Sequence, residues 1–190
     1  MRFAFSYTRA MSGEGPDKAE RKQIILRPAW ITVPGTLAVI WLAYSLAPAL
    51  SGVDDPAARL ALAARWLVVA MLPYVVVCLV IAGIRFFEGS HDPMRGEESH
   101  RLQVHRLAMQ NTLEQFVWFS ICLLAVAPML TPAEARLVPI VCVVFLVARF
   151  AYWRGYFRLG SLGRSPGVQI TFTVNLFLLT LALMLFFRSP

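Results

Sequence analysis

Five stretches of this chain are long and apolar enough to cross a lipid bilayer, and this constrains the fold more than any motif does. They run from about Ala29 to Leu50, Ala61 to Phe87, Val104 to Leu130, Ala133 to Phe157 and Val168 to Phe187. A hydrocarbon layer about 30 Å thick needs roughly 20 residues of helix, and each stretch comes close to that. The 190 residues are 58% hydrophobic, with a mean hydropathy of +0.62. A soluble domain of this size cannot hide so much apolar surface, because most of its residues still touch water. The expected fold is therefore an all-α membrane protein.

The formal charge of +7 has to be read in that setting. The basic residues sit beside apolar runs, where they orient a membrane protein, and no soluble basic face remains for nucleic acid. With the N-terminus placed in the cytoplasm, fourteen of the eighteen Lys and Arg residues fall on the cytoplasmic side. That bias predicts five spans, N-terminus inside and C-terminus outside. The Ala- and Arg-rich composition points to a bacterial inner membrane. About 28 mixed polar residues precede the first run, which is itself long enough to span, so no cleavable signal peptide is expected.

The chain divides accordingly. Residues 1–28 read as a polar, basic cytoplasmic arm, 29–50 as one transmembrane helix and 60–187 as a four-helix transmembrane domain. Ser51 to Pro56 reads as a turn, residues 88–103 as a charged loop and Gly160 to Gly167 as a Gly-rich turn. Cys78, Cys122 and Cys142 lie inside apolar runs as small buried hydrophobes. His91, His100 and His105 are scattered, and no metal site is expected. Trp30, Trp41, Trp66, Trp118 and Trp153 read as belt and packing residues, and Asn175 as an interhelical hydrogen-bond donor.

Polar side chains within spans are costly, roughly 2.5–3.5 kcal/mol for a central charge, so each needs a partner or a purpose. They gather at the start of the third span, Val104 to Gln115, and at the end of the fourth, Arg149 to Arg158. Both clusters lie near the cytoplasmic face, on the order of 10 Å below it at about 1.5 Å per residue. At about 100° per residue, Gln103, Arg106, Gln110 and Glu114 share one stripe with Asn111 beside it, while Arg149, Tyr152 and Tyr156 share another. Two readings follow. The stripes converge on one pocket, or Glu114 and Arg149 form a buried pair that holds the bundle together, with Asn111 bonding across helices. Arg154 and Arg158 read as interface anchors whose stems snorkel to the headgroups.

Gln110-Asn111-Thr112-Leu113-Glu114-Gln115 resembles the Asn-x-x-Glu signature of the MAPEG superfamily, which includes the microsomal glutathione transferases. Arg149-x-x-Tyr152-x-x-Gly155-Tyr156, followed by Arg164 and Pro166-Gly167, is similar to its second signature. The resemblance spans about residues 60–187. It implies a four-helix bundle assembled as a homotrimer among membrane lipids, with glutathione as co-substrate between subunits. The additional N-terminal helix is not part of the family's usual four. Residue by residue, Arg106, Gln110, Asn111, Glu114, Arg149, Tyr152 and Tyr156 would bind glutathione, and Arg164 would lie beside its sulfur. Arg forks suit its two carboxylates and Glu suits its ammonium. A cation near the thiol favours the thiolate, the stronger nucleophile. The family often places Arg four residues before the Asn, where this chain has Leu107.

Three functions remain open on these grounds. One is a glutathione-dependent transferase or peroxidase acting on small lipophilic electrophiles. Another is a non-catalytic protein of the same fold that binds a lipid or a protein partner. The third is a small transporter subunit, against which stands a polar path that stops about halfway across.

Overall fold

The computed structural model describes residues 28–88 and 99–188, with the side chains of 160–162 left aside. The basic arm and His91, with most of the charged loop, lie outside the described residues. Five helices follow one another: α1 (Ala29–Leu46), α2 (Pro56–Glu88), α3 (His100–Val126), α4 (Leu137–Gly163) and α5 (Ser165–Arg188). A 3-10 turn, Ala127–Met129, extends α3. Each helix is long and apolar enough to span a membrane, and no strand occurs among the described residues. The chain is an all-α, multi-pass membrane protein, as its apolar runs predict.

The helix ends differ from the expected ones for identifiable reasons. Helix α2 starts at Pro56 rather than Ala61, because proline is well tolerated in a first turn, where its missing N–H has no partner to lose. Helix α3 starts at His100 rather than Val104: Ser99 caps it, its hydroxyl accepting from the Leu102 N–H at 3.2 Å. Helix α4 starts at Leu137 rather than Ala133. The segment before it is a turn in which the Glu134 carboxylate accepts from the N–H and hydroxyl of Thr131, at 2.7 and 2.8 Å.

The largest correction falls on the Gly-rich turn expected over 160–167. Helix α4 continues to Gly163 and α5 begins at Ser165, so the connection shrinks to Arg164. Composition points to a loop there, but a backbone near hydrocarbon has to bond itself, and helix does that. The Val168 N–H donates to the Arg164 carbonyl at 3.1 Å, and Pro166 sits in the first turn, where it costs nothing. Gly155 and Gly163 approach so closely that a Cβ on either would strike the other's carbonyl. Eight residues of straight helix would separate them by about 12 Å. The end of α4 therefore bends sharply, and glycine makes the close approach possible.

The core lies among α2, α3, α4 and α5. Phe119 and Phe145 are fully buried and stack at 4.4 Å between ring centroids. Ala63 and Ala70 of α2 pack beside them with Val138, Val141, Val174 and Leu178, small residues letting the backbones approach. Asn175 of α5, fully buried, donates to the Gln115 side chain at 3.0 Å and to its carbonyl at 3.2 Å. It is the interhelical donor expected. Helix α1 packs on α4 and α5 and buries only Thr36 and Ile40.

At the end of the bundle with few cations, two arginines serve the fold. Arg59 is 6% exposed and donates to the carbonyls of Val53, Asp54 and Pro128, at 2.9, 2.8 and 3.1 Å. Arg136 donates to the Ala47 carbonyl at 2.7 Å and lies over the Tyr44 ring at 4.3 Å. These guanidiniums satisfy loop carbonyls that would otherwise be stranded beside hydrocarbon. Arg59→Met should therefore lower the thermal midpoint in detergent, at a cost of about 1–3 kcal/mol for stranded acceptors. The exposed Arg65→Met is the control, and equal midpoints for the two variants would refute the clamp.

Candidate functional site

The site forms where α3, α4 and the start of α5 meet, at the end of the bundle opposite Arg59. Its centre is Arg149, a cation 1% exposed in the middle of a helical bundle. Its Nη2 donates to Asn111 Oδ1 at 3.0 Å and to Thr112 Oγ1 at 2.8 Å. The Thr112 hydroxyl in turn donates to the Ala108 carbonyl at 2.7 Å, which leaves its oxygen free to accept from the guanidinium. The guanidinium also lies over the Tyr152 ring, 4.1 Å from its centroid, an arrangement in which the ring's negative face attracts the cation.

Arg149 is only partly satisfied by these contacts. Its Nε and Nη1 are buried without a hydrogen-bond partner among the described residues, as is Tyr152 Oη. No carboxylate among the described residues pairs with it. Burying an unpaired cation is costly, and these donors remain open to a further acceptor. The Tyr152 ring stands 6.0 Å from that of Tyr156, and the Arg164 guanidinium lies over Tyr156 at 5.2 Å. Two cations and two phenols thus form one continuous cluster.

Two features of the helices bring that cluster together. The bend near Gly155 and Gly163 turns the chain back so that Arg164 meets Tyr156. Gly167 then lies directly against the backbone and Cβ of Tyr152, with no room for a side chain. That contact sets how deep Tyr152 sits between α4 and α5.

The structure brings Asn111 of one stripe to Arg149, Tyr152 and Tyr156 of the other, and Arg164, which only the family resemblance suggested, joins them over Tyr156. It does not bring Glu114 to Arg149 within the protomer. Glu114 is exposed and accepts from the Gln110 amide at 3.1 Å, so the buried Glu114–Arg149 pair is replaced by bonds to Asn111 and Thr112. The reason is rotation around α3. Asn111 and Thr112 face α4, whereas Glu114, Gln110 and Arg106 lie on the exposed side. Leu107 is also on the surface, 53% exposed.

Sequence reasoning missed Thr112, whose signal was its place beside Asn111 on the face turned toward α4. It also missed a second polar contact. Trp153 Nε1 donates to Nδ1 of the buried His105 at 2.9 Å, and the imidazole stacks on Phe157 at 5.3 Å. Trp153 is thus a packing residue, and His105 is part of the core rather than of a ligand cluster.

The chain is a helical membrane bundle with a buried, partly satisfied arginine where α3, α4 and α5 meet. Comparison with known families matches residues 61–184 to the MAPEG family. The match spans well over half of the chain, and the protein belongs to that family. No curated protein and no solved structure matches it.

Gly167→Ala tests the packing that seats Tyr152. The added methyl group meets backbone rather than a movable side chain, and overpacking of that kind costs about 1–3 kcal/mol. A lower thermal midpoint is expected, and an unchanged one would show that α4 and α5 separate freely.

Proposed function

We propose that this protein is a glutathione-dependent transferase or peroxidase that acts on small lipophilic electrophiles within the membrane. The observation that carries the reading is Arg149, buried with Nε and Nη1 unsatisfied beside the unpartnered hydroxyl of Tyr152. A carboxylate is the anion that fits such a fork, since two parallel N–H···O bonds match guanidinium geometry. Glutathione has two carboxylates and one ammonium, and the residues present suit it. Arg149 would take a carboxylate with Tyr152 donating to it, and Glu114 would take the ammonium. Family membership supports the same substrate class.

Glu114, Gln110 and Arg106 lie on the exposed side of α3, and polar groups at membrane depth do not face lipid without cost. A neighbouring subunit covering that face would bring Glu114 to a site whose other half lies on the second protomer. We therefore favour a homotrimer with glutathione bound between subunits. Arg164, beyond Tyr156, would lie by the sulfur and stabilise the thiolate, while the electrophile enters from lipid. From the cation bias we infer that this end of the bundle faces the cytoplasm, and we take the membrane to be a bacterial inner membrane.

The competing reading is a non-catalytic member of the family that binds a lipid or a protein partner. Leu107, at the position of the family's frequent arginine, favours it. Glutathione titration of purified protein, with thiolate absorbance as readout, separates the two. Binding at millimolar glutathione or below is expected, lost in Arg149→Met and Glu114→Ala. Arg164→Ala should still bind, but the pH at which the thiolate forms should rise, because removing a nearby cation disfavours the charged form, by about 1–3 units. If no glutathione binds to the wild type, the non-catalytic reading stands.

A further inference from the structure

Helix α1 leaves a groove where it crosses α4, on a different side of α4 from Arg149. The groove is lined by Thr32, Gly35, Thr36 and Val39 on α1 and by Val143 and Val147 on α4, with a cavity volume of about 470 Å³. That is within the range of small-molecule sites, about 300–1,000 Å³. Its two threonines add no polarity. The Thr32 hydroxyl donates to the Pro28 carbonyl at 2.8 Å and the Thr36 hydroxyl to the Thr32 carbonyl at 2.7 Å. Both bond their own helix and present methyl groups to the groove.

The same line on α4 continues to a cation. At about 100° per residue, Val143, Val147, Ala151 and Arg154 fall within about 80° of one another, and all four are exposed. Arg154 lies seven residues beyond Val147, about 10 Å along the helix. It sits at the end of the bundle that bears most of the cations, with no hydrogen bond, ion pair or ring contact among the described residues. An apolar groove, with a guanidinium farther along the same face of α4 that has no partner among the described residues, complements the shape and charge of an anionic phospholipid.

We propose that the α1–α4 groove is a binding site for an anionic phospholipid, with one acyl chain along Gly35 and Val143 and the phosphate on Arg154. The site uses the helix that lies outside the segment matched to the family, residues 61–184. It gives that helix a role: α1 forms one wall of the slot. The bound lipid fills the space between α1 and α4 that protein side chains leave open. Charge at the headgroup sets the preference, since a basic side chain near the surface favours anionic lipid by about five-fold. The proposal is independent of glutathione use.

Gly35 offers a direct test. A Cβ added there meets nothing within 4 Å, so Gly35→Leu projects a branched side chain into the slot from open space. The full chain, purified in detergent, is mixed with phosphatidylglycerol or phosphatidylcholine of matched acyl chains, and bound lipid is counted by native mass spectrometry. Wild type should retain phosphatidylglycerol about five-fold better than phosphatidylcholine. Arg154→Gln should remove that preference while keeping acyl-chain binding, and Gly35→Leu should lose both lipids with an unchanged thermal midpoint in lipid-free detergent. Equal retention of the two lipids by wild type overturns the headgroup assignment. Undiminished binding by Gly35→Leu overturns the groove. A change in oligomeric state on Gly35→Leu would identify a second copy of the chain as the occupant and also overturns the proposal.

Discussion

A guanidinium buried among membrane helices has to be held by the protein that buries it, and the arrangement around Arg149 follows from that requirement. A side chain that is 1% exposed in the protomer draws its partners from what α3 and α4 supply. Asn111 and Thr112 supply two bonds to Nη2, and the face of Tyr152 supplies a third attraction. Those contacts fix the rotation of α3 against α4. They also fix which side of α3 remains outside. Satisfying one nitrogen and leaving Nε and Nη1 unpartnered suits a site better than a staple, because a purely structural arginine finds a partner for most of its donors.

Arg59 makes the contrast within the same chain. It too is nearly buried, but three carbonyls take its two terminal nitrogens and tie the loop before α2 to the end of α3. Both arginines are costly in lipid, and both are tolerated because the backbone or side chains around them are arranged to meet them. Both leave Nε without a hydrogen-bond partner among the described residues, and Arg149 leaves Nη1 as well, so one further nitrogen separates the clamp from the candidate site. Arg154, exposed and without a partner among the described residues, is a third case.

Much of this was legible in the amino-acid order. Runs of about twenty apolar residues specify membrane helices because backbone hydrogen bonds leave few alternatives in hydrocarbon. The helical repeat placed Arg149, Tyr152 and Tyr156 on one face, and the residues at 110–115 and 149–156 carried the family resemblance. The misreadings have two causes, the rotation of a helix and the glycines of a tight bend. Periodicity says which residues lie on a stripe, not which way the stripe is turned. Glu114 was set opposite Arg149, although the rotation of α3 turns it outward. The glycines at 160–167 suggested a loop, yet they allow a tight bend and a close contact between two helices.

The sequence alone determined the membrane setting, the number of spans and the residues from which a polar site could be assembled, because hydropathy and helical spacing are local properties of the chain. Tertiary structure decided which of those residues meet. Thr112 rather than Glu114 became the partner of Arg149, Gly167 set the depth of Tyr152, and the bend in α4 returned Arg164 to Tyr156. Such choices depend on how helices rotate and cross, and that is settled only when several of them compete for the same space.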